Sequence, residues 1–137
     1  MISVQTEDFD AGAEIEHLTG DKGDVGAVVS FVGVVRGGPP DDPLIGMTLE
    51  HYPGMTEREL QRIEAEARAR WPLSDTLIVH RVGTLKPGDR IVLVVTASAH
   101  RKAAFEAAEF LMDFLKTRAP FWKREIRQSG VHWVEAK

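Results

Sequence analysis

A chain of 137 residues, 43% of them hydrophobic, is long enough for one compact domain with a real core. The absence of cysteine excludes disulfides, thiolate metal sites and a cysteine nucleophile or persulfide. A formal net charge of −4 argues against sequence-independent nucleic-acid binding, which favours a broad basic footprint, and no window approaches the ~18–20 apolar residues of a membrane span.

Met1 to Glu7 has neither a basic flank nor a long apolar run, so no signal peptide is expected and the chain reads as soluble and cytoplasmic. Residues 2–6 are expected as a short strand. Asp10 to Leu18 follows as a short helix, capped by Asp10 and stopped near Gly20. Val25 to Val35 is a β-branched run too apolar for an exposed strand, and Gly26 and Gly33 within it point to bulges or close backbone approach. The stretch Arg36-Gly-Gly-Pro-Pro-Asp-Asp-Pro43 breaks regular structure and is expected as the most mobile loop.

Ile45 to Tyr52 returns as a strand and Pro53-Gly54 turns the chain. Thr56-Glu-Arg-Glu59 has the form of a capping box with Thr56 as the cap. The helix it opens places Leu60, Ile63, Ala67 and Trp71 on one face and ends at Pro72. Thr76 to Leu85 and Arg90 to Ala97 are expected as a hairpin around Lys86-Pro87-Gly88-Asp89, with Pro and Gly where a type II turn needs them. Ser98 is a candidate cap for a last helix over 99–118, its core face including Phe105, Ala108, Met112 and Leu115. Phe121 to Gln128 and Val131 to Val134 close the chain as strands around Ser129-Gly130. Helices separated mostly by hairpins predict an α+β fold with a largely antiparallel sheet and helices packed on it, in a single domain over 1–137.

Charge is polarised along this chain. Glu7, Asp8, Asp10, Glu14, Glu16, Asp21 and Asp24 face only Lys22 at the start, whereas Lys116, Arg118, Lys123, Arg124 and Arg127 are opposed only by Glu125 near the end. A basic corner on an acidic chain asks for an anionic ligand, although solvated charge is the plainer reading of such asymmetry. On an alternating strand Phe121, Lys123, Glu125 and Arg127 share one face, and Trp122, Arg124 and Ile126 the other. If the corner folds back, Lys123 approaches Lys116. Two ammonium groups in one cleft depress at least one pKa toward neutrality, which suits acid–base or nucleophilic chemistry.

His100, Arg101 and Lys102 occupy the first turn of the last helix, where the macrodipole disfavours cations. They either help hold an anion there or simply reach solvent. Arg36 opens the Gly/Pro loop, in a position that suits a ligand contact or a snorkelling strand-end arginine equally well. The five histidines, His80 among them, lack the spacing of a zinc motif, and the glycines form neither a Walker loop nor a dinucleotide fingerprint. Neither a metal nor an organic cofactor is expected.

Three blocks, Leu49-Glu-His-Tyr-Pro-Gly-Met-Thr56, Ser98-Ala-His-Arg101 and Lys116-Thr-Arg-Ala-Pro-Phe-Trp-Lys-Arg-Glu125, closely resemble the large, catalytic subunit of molybdopterin synthase, and the likeness runs from about Asp24 to Ala136. The resemblance implies an α/β-hammerhead-like fold and a sulfurtransferase of molybdenum-cofactor biosynthesis. Its substrate would be cyclic pyranopterin monophosphate. Its sulfur would arrive as a thiocarboxylate on the C-terminal glycine of a small ubiquitin-like subunit, within a heterotetramer built on a homodimer of large subunits. Carried over by residue, the resemblance makes Lys116 and Lys123 catalytic, and Arg36, His100 and Arg101 substrate-binding. Arg124 and Glu125 adjoin Lys123 in the same site, and some pocket residues come from the neighbouring subunit. Where relatives often show Gly-Lys-Val-Arg, this chain has Gly33-Val34-Val35-Arg36, so among the substrate-binding positions Val34, Val35 and Arg36 a basic contact is missing and Val34 offers only its backbone. The rival expectation is a non-catalytic module that binds a phosphorylated small molecule or a partner's C-terminal tail.

Overall fold

The computed structural model describes residues 1–20 and 22–134, so Asp21 of the acidic set and the C-terminal end of the resemblance at Ala136 lie outside the described residues. Among the described residues the chain order is β1 (Ile2–Gln5), α1 (Ala11–Thr19), β2 (Ala27–Val34), β3 (Leu44–His51), α2 (Met55–Arg70), β4 (Leu73–Arg81), β5 (Gly83–Leu85), β6 (Arg90–Ser98), α3 (Arg101–Thr117), β7 (Phe121–Arg127) and β8 (Gly130–Val134). The strands make two four-stranded sheets, one ordered β1-β4-β6-β2 and the other β5-β3-β7-β8. Only β1 and β4 run parallel; every other pair is antiparallel, as the α+β expectation requires. No helix among the described residues is long and apolar enough to cross a membrane.

Alternation along β4 explains how one strand serves two cores. Leu77 and Val79 face Phe9, Leu18, Leu93 and Val95 under α1. Ile78 points the other way, into a larger cluster with Leu49, Leu60, Ile63, Leu111 and Phe114. Because β6 is covered on both faces it reads as the near-continuous apolar run Ile91-Val-Leu-Val-Val95, whereas β2, expected from its apolar run to be buried, is an edge strand that leaves Val28, Phe31, Val32 and Val34 exposed. Each of these side chains, once fully buried, contributes about 1.5–3 kcal/mol.

Local chemistry placed several elements correctly. Asp10 Oδ1 accepts from the Ala13 N–H (3.0 Å), and α1 ends at Gly20. In the Lys86–Asp89 turn, Asp89 N–H donates to the Lys86 carbonyl (2.9 Å) and Gly88 has φ +92°, as a type II turn demands. The close approach expected in β2 is real: a Cβ on Gly26 would sit 2.2 Å from the Ala99 carbonyl oxygen, and the β2–β6 register shifts between Gly33 and Val34.

Four expectations need correction. The strand over 76–85 is broken: β4 ends at Arg81, Gly83 takes φ +88°, and the chain crosses to the other sheet, where β5 pairs with β3. The β4–β6 pair is antiparallel, but the tight turn joins β5 to β6 and the expected hairpin is split between sheets. Thr56 is not a cap. Gly54 occupies that position, its N–H donating to Glu57 Oε1 (3.1 Å), while fully buried Thr56 accepts from the Tyr52 N–H (2.9 Å) and donates to the Pro120 carbonyl (3.1 Å). The α3 cap is His100, without a side-chain bond, and Ser98 instead donates to the Pro72 carbonyl. Phe105 is exposed, because the buried stripe of α3 runs through Ala104, Ala107, Ala108, Leu111 and Phe114, with Met112 and Leu115 at its edge.

Candidate active site

A cavity of about 700 Å³ opens between the two sheets. The first sheet supplies His80, Ile91 and Val92, and the second supplies Met47 and the inward face of β7. The last turns of α3 add Met112, Leu115 and Lys116, and the loop after β2 completes the rim. β7 behaves as its alternation predicts, with Phe121, Lys123, Glu125 and Arg127 all on the cavity side. Thr56 fixes the corner that returns β7 toward α3 through its bond to Pro120.

The cavity is strongly electropositive. Among the described residues Arg36, Lys116, Lys123 and Arg127 line it against one carboxylate, Glu125. Burial, and then the Lys116 ammonium, push the Lys123 pKa below the ordinary lysine value, and Glu125 opposes the shift only in part. The expected depression is therefore present, with desolvation as its leading cause and the second cation behind it. Glu125 is also drawn to Arg127, whose Nε and Nη2 donate to Oε1 at 2.9 and 2.7 Å.

Arg127 does more than neutralise Glu125. Its Nη1 donates to the Asp42 carbonyl (2.9 Å), and Ser129 Oγ donates to the Asp42 carboxylate (2.9 Å). Leu44 N–H closes the loop base on the Gly37 carbonyl (2.7 Å). Gly38, at φ +73°, leaves the space that the guanidinium fills: a Cβ there would lie 2.6 Å from Nη1. The loop expected to be mobile is strapped to the end of β7 over one side of the cavity.

The remaining expected site residues divide. Val34 and Val35 line the cavity at the end of β2, the first exposed and the second buried, and Arg36 stands at the rim. Arg124 does not join them. It is on the opposite face of β7, with its guanidinium carbon 5.8 Å from the Trp133 ring and its buried Nε unpartnered. His100 and Arg101 do not join them either. They stand at the exposed start of α3, and the helix over 101–117 separates Arg101 from Lys116 by about 22 Å, with His100 beyond it. Within one chain they do not form a second wall of this cavity.

His80 and Arg127 were absent from the expected site. Arg127 had a signal, since it shares the parity of Lys123. His80 had a weaker one, as the ionisable member of the inward set Thr76, Ile78, His80 on a buried strand. It is 5% exposed, and its ring stacks on Phe121 with centroids 3.8 Å apart and planes 15° from parallel. Nδ1 lies 2.9 Å from the Arg81 carbonyl. A carbonyl only accepts, so Nδ1 carries the proton and Nε2 the lone pair. Desolvation drives the His80 pKa down to about 4, with further lowering by Lys123 and His51, so the ring is neutral at physiological pH.

Fold and cavity together define an α+β protein whose two sheets enclose an electropositive cavity with two amines, one of depressed basicity. A family model described as MoaE protein matches residues 4–118. The molybdopterin synthase catalytic subunit of Mesorhizobium japonicum is 57% identical over 138 residues, covering 99% of this chain and 86% of the relative. A molybdopterin synthase structure from Staphylococcus aureus superposes with TM-score 0.88 at 33% identity, covering 96% of this chain and 95% of that one. The fold alone persists at 20% identity in a Helicobacter pylori complex of subunits 1 and 2 of molybdopterin-converting factor (TM-score 0.78, 99% and 90% coverage). This chain belongs to the MoaE family, that of the catalytic subunits of molybdopterin synthase, which transfer sulfur in molybdenum-cofactor biosynthesis.

Proposed function

We propose that the chain takes sulfur from the thiocarboxylated C-terminal glycine of a small ubiquitin-like carrier subunit and installs it on cyclic pyranopterin monophosphate, forming the molybdopterin dithiolene in the cytoplasm. The observation that carries this reading is the meeting of Lys116 and Lys123 in one electropositive cavity of ligand size. Both reactants are anions, a phosphate and a thiocarboxylate, and four cations against one carboxylate favour their entry. The absence of cysteine fits a chain that receives sulfur on a partner's tail and need not carry it.

Within this reading the lysines differ in role. Lys123, its pKa held below the ordinary lysine value by burial and by Lys116, is the proton-transfer group: it donates to oxygen as it leaves and recovers a proton as sulfur adds. Lys116 meets the incoming thiocarboxylate at the end of α3, and Arg36 takes the phosphate at the rim. His100 and Arg101 reach a cavity only from a second copy. The exposed apolar residues Phe31, Val32 and Val34 on edge strand β2 supply a surface for that homodimer.

The test is product formation from thiocarboxylated carrier and substrate, followed by mass spectrometry. Lys116→Ala should abolish turnover while the fold persists. Wild-type turnover in that variant removes the role assigned to Lys116, and binding without product in the native protein favours a non-catalytic module.

A further inference from the structure

The cavity contains one buried polar group that the lysine chemistry leaves idle. His80 comes from the sheet opposite Lys123, and two contacts and its strand parity determine what it presents. The Arg81 carbonyl takes its Nδ1 proton, the Phe121 ring fixes its plane, and β4 alternation points the imidazole between the sheets. Nε2 is left as a lone pair with no hydrogen-bond partner among the described residues, on a side chain that lines the cavity.

An acceptor in this place is chemically conspicuous. Arg36, Lys116, Lys123 and Arg127 can only donate while charged, and the one lining carboxylate among the described residues, Glu125, carries a negative charge and gives its Oε1 to Arg127. A phosphate or a thiocarboxylate finds ample donors here but has no use for a neutral acceptor. The complementary group is an N–H on an uncharged heterocycle. Burial suits this task, because a protonated imidazole would lose the lone pair and add a fifth cation.

We propose that His80 is a substrate-positioning residue whose Nε2 accepts a hydrogen bond from an N–H of the pterin ring system, so that the ring is read from one sheet while the reacting carbons face Lys123 of the other sheet and Lys116 of α3. This rests on the pterin substrate of the proposed function and adds to it the group that sets ring orientation. Sulfur chemistry at adjacent carbons demands such orientation, since both must come within reach of the same lysines.

The experiment titrates cyclic pyranopterin monophosphate into the complex with a carrier subunit bearing an unmodified C-terminal glycine, so that binding is read without turnover. His80→Phe keeps a stacking ring but removes the acceptor, and His80→Gln restores an acceptor oxygen near the Nε2 position. His80→Phe should weaken binding on the order of tenfold, as expected when a buried donor loses its partner. With thiocarboxylated carrier it should raise KM by a similar factor at nearly unchanged kcat, and His80→Gln should recover most of the loss. A second readout needs no variant: the Nε2 nitrogen resonance of wild-type His80 should move on substrate addition. An unmoved resonance, or unchanged affinity in His80→Phe, overturns the inference while leaving the sulfur-transfer reading intact. A wild-type complex that binds no pterin overturns both.

Discussion

His80 also leaves a signature in the stability of the protein. Its folded-state pKa of about 4 lies below the ordinary 6.5 of an accessible histidine. Between those values the unfolded chain binds a proton that the native state refuses, so stability falls as pH drops from about 6.5 toward 4. The loss should reach ~2–3 kcal/mol at pH 4.5, and His80→Phe should abolish this part of it. Urea melts of both proteins at pH 7 and 4.5 check the difference; equal losses exclude His80 as the source. The residue scale is also where sequence reading divides. Lys123 was legible because a period of two assigns Lys123 and Glu125 to one face and Arg124 to the other. His80 was not, because one histidine in an apolar strand says nothing about whether its second nitrogen meets protein or a cavity.

Elements were legible where their determinants are local. Asp10 caps α1 with its own side chain, and the Lys86–Asp89 turn follows from Pro87 and Gly88. They were illegible where a distant segment decides. The break at Gly83 exists because β3 offers an edge to residues 83–85, and nothing within 76–85 names β3 as a partner. Thr56 was misread for a similar reason: its hydroxyl is claimed by Pro120, 64 residues away. Gly26 tests such a long-range constraint directly. The Ala99 carbonyl that would clash with a Cβ is backbone and has no rotamer to yield, so the segment leading into β2 and the segment leaving β6 must separate. Gly26→Ala should destabilise the fold by about 1–3 kcal/mol, seen as a lower denaturation midpoint at unchanged slope. An unchanged midpoint means the two segments part freely.

For the whole molecule, the length of α3 is decisive. A rigid helix that puts Lys116 in the cavity and Arg101 about 22 Å away makes both residues useful at one site only if each comes from a different chain. Complementation distinguishes the arrangements. Lys116→Ala and Arg101→Ala should each be inactive as homodimers, but a mixed dimer of the two has one site with neither substitution. Random re-pairing of equal amounts should restore about a quarter of wild-type activity. If both residues served the same chain's site, every site would remain damaged and mixing would restore nothing. Sequence could propose these residues together but could not show the separation, which arises only when 101–117 forms one unbroken helix.

The depressed basicity of Lys123 has a practical consequence. An amine-selective acylating reagent small enough to enter the cavity, offered below the usual lysine range, finds free amine at Lys123 sooner than at the exposed lysines. Peptide mapping after a short pulse should show label accumulating first on the peptide carrying that residue. Bound substrate or an inserted carrier tail would shield it. The fraction labelled then becomes a direct measure of occupancy, obtained without turnover or any engineered reporter.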